Sequence, residues 1–163
     1  MFYRDGAELV AHLDREAALV LRQFAVQLTE MLGDEPDRDD PVVARLLPDM
    51  YRDDPEAAAE MRELTEDDLR AAKLTAFGEM IADLPRDGGD VRLTEEAADT
   101  WVRGLTDMRL ALGLRLDIRD DTDFETEIDD AVAADPTSQR VRQLAVYGYL
   151  TGLQGSLVDA LMD

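Results

Sequence analysis

The run from Trp101 to Leu116 places Trp101, Leu105, Met108, Leu112 and Leu116 at successive spacings of 4, 3, 4 and 4 residues. At about 3.6 residues per turn these positions share one face of a helix. A face that apolar must be covered by other elements, so the chain is committed to a packed helical core. The same spacing recurs after Asp14, where Ala17, Leu21, Phe24, Leu28 and Met31 or Leu32 form a second stripe that ends at Gly33. Asp14 suits the start of that helix, because its carboxylate can accept from the free N–H groups of a first turn.

The punctuation between stripes is also helical. Asp40-Pro41, Asp54-Pro55 and Asp135-Pro136 each set a capping acid before a proline, whose missing N–H costs nothing at the first helical position. They are read as opening VVARLL, EAAAEMREL and a C-terminal helix that reaches almost to Asp163 and carries Val141, Leu144, Leu153, Leu157 and Leu161. Thr65-Glu66-Asp67-Asp68 is read as a cap with early negative charge for a further helix to Leu84. Thr122-Asp123-Phe124-Glu125 has the form of a capping box for a short helix with Phe124, Ile128 and Val132 on one face. GDEPDRDDP is too polar and too broken by proline to pack, and Pro85 with DGGD makes another loop.

ELVAHL alternates after Asp5-Gly6, which reads as a strand or hairpin. Leu13 to Ala18 also aligns with Leu93 to Ala98, each a short extended lead, a cap and a long helix. The expected fold is therefore mainly α: a single helical domain over residues 1–163 with six or seven helices. There is room for a small two-stranded β element from the segments near residues 8–13 and 90–93.

Composition removes several function classes. The longest unbroken apolar run, AALVL at 17–21, is far below the roughly 20 residues that cross a bilayer. The N-terminal MFYRDGAELV has no charged region leading into an apolar one, so a cytoplasmic protein is expected. With no cysteine there is no disulfide, thiol nucleophile or thiolate ligand in these residues. One histidine, His12, excludes a site that needs two imidazoles and is read as an ordinary surface or interface residue.

The net charge of −21 is unevenly spread. Residues 34–70 carry 14 acids and 5 bases, and residues 117–135 carry 9 acids and 1 base. Such a field opposes nucleic-acid binding, leaving Arg103, Arg109 and Arg115 as the one stripe from which direct DNA contact could come, and none is expected. A basic protein partner suits the charge. The bland alternative is genome composition or salt adaptation, with acids that simply solvate the fold.

No catalytic residue, metal site or cofactor is expected. Counted from Asp121 as a calcium loop, Asp123 and Glu125 fit, but Thr126 stands where glycine is required and Val132 where a bidentate glutamate belongs. The pairs Asp39-Asp40, Asp53-Asp54 and Asp67-Asp68 are assigned to helix starts rather than to acid–base work. No Gly-rich phosphate loop is present.

Two places are left over as partner-binding candidates. At the corner RLLPDMYRDD, Leu46 and Leu47 go to the core and Pro48 to the turn, while Tyr51 and Arg52 are not consumed by capping or burial. They either pin the joint or meet a partner. In the C-terminal helix, Tyr147 and Tyr149 stand among Gly148, Gly152 and Gly155. Glycine in a helix costs roughly 1 kcal/mol relative to alanine, so close approach of another backbone is expected to offset it. Gly104 and Gly113 would be the partners for packing inside the monomer; a groove for another chain is the alternative.

RLLPDMYRDDPEAAAEMRELTEDDLR at 45–70, LTDMRLALGLRL at 105–116 and the terminal YGYLTGLQGSLVDAL together resemble an actinobacterial domain-of-unknown-function family. That family is associated with the AosR oxidative-stress transcription regulators. The resemblance implies a non-enzymatic transcription regulator that acts through protein–protein contact, with an RNA polymerase sigma factor or the polymerase as partner, in a stress response. Thiol-based sensing does not carry over to a chain without cysteine. The alternative reading is an acidic structural or adaptor domain, homodimeric through the glycine-bearing helices, with no direct role in transcription.

Overall fold

A computed structural model of the protein describes residues 1–48 and 55–163, with the backbone alone over 55–65. Six helices and three strands follow in the order β1 (Tyr3–Asp5), β2 (Glu8–Leu13), α1 (Arg15–Met31), α2 (Pro41–Leu46), α3 (Pro55–Asp83), β3 (Gly89–Leu93), α4 (Glu95–Arg115), α5 (Phe124–Ala134) and α6 (Gln139–Met162). The mainly helical fold expected from the spacing is the fold observed. The pairing expected between 8–13 and 90–93 is present too, as antiparallel β2 and β3 with Leu9 opposite Leu93 and Ala11 opposite Val91. The sheet has a third strand, because β1 pairs with β2 in a hairpin turned by Gly6 at φ +63.

Period-two alternation puts Leu9, Ala11, Leu13, Val91 and Leu93 on the buried face of the sheet. The other face carries Arg92, which donates to Asp5 (3.2 Å) and Glu8 (3.0 Å), and an exposed His12–Asp90 pair at 2.9 Å. These two carboxylates hold the Arg92 guanidinium above its usual range. His12 is thus the surface residue that its neighbours in sequence implied.

The central helix is α4. It packs against α1, α2, α3, α6 and strands β2 and β3, and its stripe of Trp101, Leu105, Met108, Leu112 and Leu116 is buried throughout. Thr94 caps α4 through the Ala97 N–H, and Asp14 caps α1 through the Ala17 N–H, as the matching segments predict. Asp40 caps α2 with Pro41 in its first turn, and Leu46 and Leu47 are buried. Asp117, at φ +57, ends α4, with Ile118 N–H donating to Gly113 O and Asp117 N–H to Leu114 O. This is the Schellman closure with aspartate in the left-handed position.

Four expectations are corrected. EAAAEMREL and the segment after Thr65 are not two helices but one, α3, because no proline or glycine interrupts the backbone ladder there. Thr65 to Asp68 is therefore mid-helix, and Asp67 pairs with Arg70 at 3.3 Å instead of starting a helix. The cap of α5 is Asp123 rather than Thr122, whose hydroxyl accepts from Arg119 N–H in the preceding turn. The residue that α5 buries is Ala131, while Val132 is exposed. Finally, Asp135 caps a turn by accepting from the Thr137 N–H and hydroxyl, and α6 begins later, capped by Ser138.

The glycines of α6 also differ from expectation. Gly148 leaves room for the Phe124 ring and Gly152 for the Met1 side chain, while Gly155 faces nothing within 4 Å. Gly104 faces the Met80 thioether of α3 rather than α6. Gly155→Ala is expected to stabilise the protein by about 1 kcal/mol, raising the melting temperature by about 2–4 °C. At Gly88, by contrast, φ is +85 and an added Cβ would lie 2.8 Å from the Arg15 backbone nitrogen. Gly88→Ala is expected to lower the melting temperature in the same calorimetric series.

Candidate functional site

Tyr147 and Tyr149 are two residues apart, about 200° around a helix, so α6 sends them to different sides. Tyr147 turns to the seam between α4, α5 and α6. Its ring lies 5.7 Å from the Phe124 ring, and the Arg109 guanidinium carbon is 5.7 Å from its centroid. Gly113 is opposite, where a Cβ would come within 3.3 Å of the Tyr147 ring. Tyr149 is half-buried near the start of α1; burial pushes its phenol up, and the Asp14 carboxylate adds to the shift. The structure therefore does not bring these tyrosines together as one surface. Tyr51 and Arg52, like Asp53 and Asp54, lie outside the described residues.

Below Tyr147 the seam is polar and closed. Gln154, buried, donates to Val102 O (2.9 Å) and Thr106 Oγ1 (2.6 Å), and accepts from Arg109 Nη1 (2.7 Å). Arg109 is thereby spent on joining α4 to α6. The three arginines read as a stripe go to three places, since a spacing of six residues turns each about 240° from the last. Arg103 lies on a groove between α3 and α4, and Arg115 reaches the Met31 sulfur at 3.3 Å at the far end of α4.

That α3–α4 groove encloses about 520 Å³ and is lined by Leu69, Ala72, Lys73, Arg103, Thr106 and Asp107 among others. At its base the chain's single lysine, Lys73, holds both oxygens of buried Asp107, at 2.8 and 2.9 Å. Farther along the contact of α3 with α4, Trp101 Nε1 donates to Asp83 at 2.9 Å. Sequence reasoning placed Lys73 on its helix without a partner and did not single out the groove. The available signal was an aspartate set beside Met108 in the most apolar stripe of the chain, which required a cation from another helix.

A model of the family described as "Domain of unknown function (DUF2017)" matches residues 1–161. The chain belongs to this family. Among its relatives, the "Putative oxidative stress regulator AosR" of Mycobacterium leprae is 33% identical, the match covering 96% of this chain and 75% of that protein. The "Oxidative stress regulator AosR" proteins of Mycobacterium bovis and Mycobacterium tuberculosis are 35% identical, with 98% of this chain and 84% of each relative covered. No solved structure matches. The family resemblance drawn from RLLPDMYRDDPEAAAEMRELTEDDLR, the LTDMRLALGLRL run and YGYLTGLQGSLVDAL is thus correct. Among the described residues no helix is long and apolar enough to cross a membrane.

Two predictions follow from this geometry. Removing one partner of a buried ion pair strands a charge and costs about 3–5 kcal/mol. Lys73→Met and Asp107→Leu are each expected to destabilise the fold by that order in urea melts, and the double variant by less than their sum. Tyr149 carries the second prediction. Its raised folded pKa means that stability is full below the usual tyrosine pKa of about 10 and is lost as pH climbs through the folded value. Tyr149→Phe is therefore expected to flatten the alkaline fall in melting temperature while leaving neutral behaviour unchanged.

Proposed function

We propose that residues 1–163 form a single cytoplasmic regulatory domain, a non-enzymatic transcription regulator acting by protein–protein contact in a stress response. Its partner on this reading is an RNA polymerase sigma factor, and no cysteine of these residues takes part in sensing. The observation that carries the proposal is the match along 96–98% of the chain to relatives named as oxidative stress regulators. Charge supports the mode of contact. Asp120, Asp121, Glu125, Asp129 and Asp130 are exposed on α5 and its lead, where they can meet a basic surface. The polar seam below Tyr147 supports packing inside the monomer for that residue over a groove for another chain. For Tyr51 and Arg52 the proposal of partner contact rests on the sequence.

Contacts between exposed charges weaken as salt shortens the screening length from about 10 Å at 0.1 M to about 3 Å at 1 M. The immobilised protein is expected to retain a sigma factor from a mycobacterial lysate at low salt and to release it at high salt. Asp120→Lys with Asp121→Lys is expected to reduce that retention. Capture of no transcription component, or retention that salt and charge reversal leave unchanged, contradicts the proposal.

A second reading, a homodimeric adaptor, draws on Leu110 and Leu114, two large apolar side chains exposed one turn apart on the solvent face of α4. It calls for a dimer in sedimentation equilibrium that Leu114→Glu dissociates.

A further inference from the structure

The chain has five glutamines, and four of them, Gln23, Gln27, Gln139 and Gln143, line one cleft between α1, α4 and α6. Residues four apart on a helix point the same way, so each pair presents two amides to the same furrow. Arg115 and Arg142 complete the polar lining, and Phe24 and Leu112, both buried, make an apolar floor. No acid lines the cleft, although the chain contains 38 acids and only five glutamines. The lining is thus neutral to basic where the chain as a whole is strongly acidic.

The two guanidiniums are exposed and make few contacts within the fold. Arg115 Nη2 reaches the Met31 sulfur, a weak acceptor, at 3.3 Å, and Arg142 Nη1 donates to Thr137 O at 3.3 Å. Among the described residues neither has a carboxylate within 4.0 Å, whereas Arg4, Arg38, Arg92 and Arg140 each hold one within 3.2 Å. Asp135 feels the Arg142 charge through space, while its Oδ1 accepts from both the N–H and the hydroxyl of Thr137.

We propose that this cleft docks an acidic segment of a partner protein that carries an apolar side chain beside its carboxylates. The carboxylates would meet Arg115 and Arg142, the apolar side chain would lie on Phe24 and Leu112, and the glutamine amides would read the peptide groups with both donors and acceptors. Charge complementarity selects the occupant. At about 240 Å³ the cleft is smaller than the roughly 300–1,000 Å³ usual for small-molecule pockets. A nucleic acid is anionic too, but its unbroken phosphate chain would run past two arginines onto a surface of net charge −21. The acidic segments assigned to a basic partner are a separate surface, so this inference does not rest on the proposed function.

The test is fluorescence anisotropy with a labelled peptide of about ten residues made of leucine and glutamate, at about 0.15 M salt, where repulsion beyond roughly 8 Å is screened. The intact chain is expected to bind it and to ignore the matched leucine–lysine peptide. Arg115→Glu and Arg142→Glu, both at exposed positions, are each expected to weaken binding about tenfold or more, while Arg119→Glu, outside the cleft, leaves it unchanged. Circular dichroism establishes that the variants are folded. Binding that survives both cleft reversals, or no binding by the folded protein at millimolar peptide, overturns the proposal. So does a wild-type dimer that the cleft reversals dissociate, since the occupant would then be a second copy.

Discussion

The rest of the structure depends on the covered faces of α4, on which α1, α2, α3, α6, β2 and β3 pack while Asp99, Arg103, Thr106, Leu110 and Leu114 stay exposed. A polar group on a covered face is costly to bury without a partner, and apart from Arg109 Nε the buried side-chain groups of α4 find one. Asp107 is answered by Lys73 from α3, Trp101 Nε1 by Asp83 from α3, and Val102 O and Thr106 by Gln154 from α6. These contacts fix the angle and register at which α3 and α6 lie on α4. Apolar packing alone would accept several arrangements of similar energy, because leucine stripes slide where directional pairs do not. Outside this frame α5 is lightly attached, with Ala131 as its buried residue.

This dependence decides what was legible in the sequence. The stripes of α1 and α4, their caps at Asp14 and Thr94 and the pairing of β2 with β3 all rest on local periodicity or on matching short segments, so residues a few positions apart reveal them. The continuity of α3 was misread because Thr65 to Asp68 has the composition of a helix start, and composition does not say whether the previous helix has ended. The same ambiguity displaced the starts of α5 and α6, where Asp123 and Ser138 won over neighbours that could also cap. Legibility failed altogether for groups whose meaning lies across the fold. Lys73 and Asp107 are 34 residues apart, and Gln27 and Gln143 belong to helices at opposite ends of the chain. Arginine spacing misled in the opposite way: Arg103, Arg109 and Arg115 look like a set only until the helix turns them apart.

The site reading changes accordingly. Tyr147 and Tyr149 among their glycines could mark a groove for another chain or packing within the monomer, and the contacts of Tyr147 with Phe124, Gly113 and Arg109 favour packing for that residue. What remains available for contact is of two opposed kinds. Exposed acids dominate α5 and its lead, and the cleft between α1, α4 and α6 is free of them. A protein that meets others through charge benefits from such segregation, because like-charge contact rejects wrong partners as effectively as opposite charge attracts right ones. The cleft is formed by α1, α4 and α6, and α5 packs on α6.

Native-state hydrogen exchange measures most directly whether α4 is the frame on which the other elements depend. The amides from Leu105 to Leu112 are predicted to exchange only by global unfolding, with a free energy equal to that from urea denaturation, while those of α5 exchange through cheaper local opening. If α4 opens locally well below the global free energy, or if α5 is protected as strongly as α4, the account is contradicted.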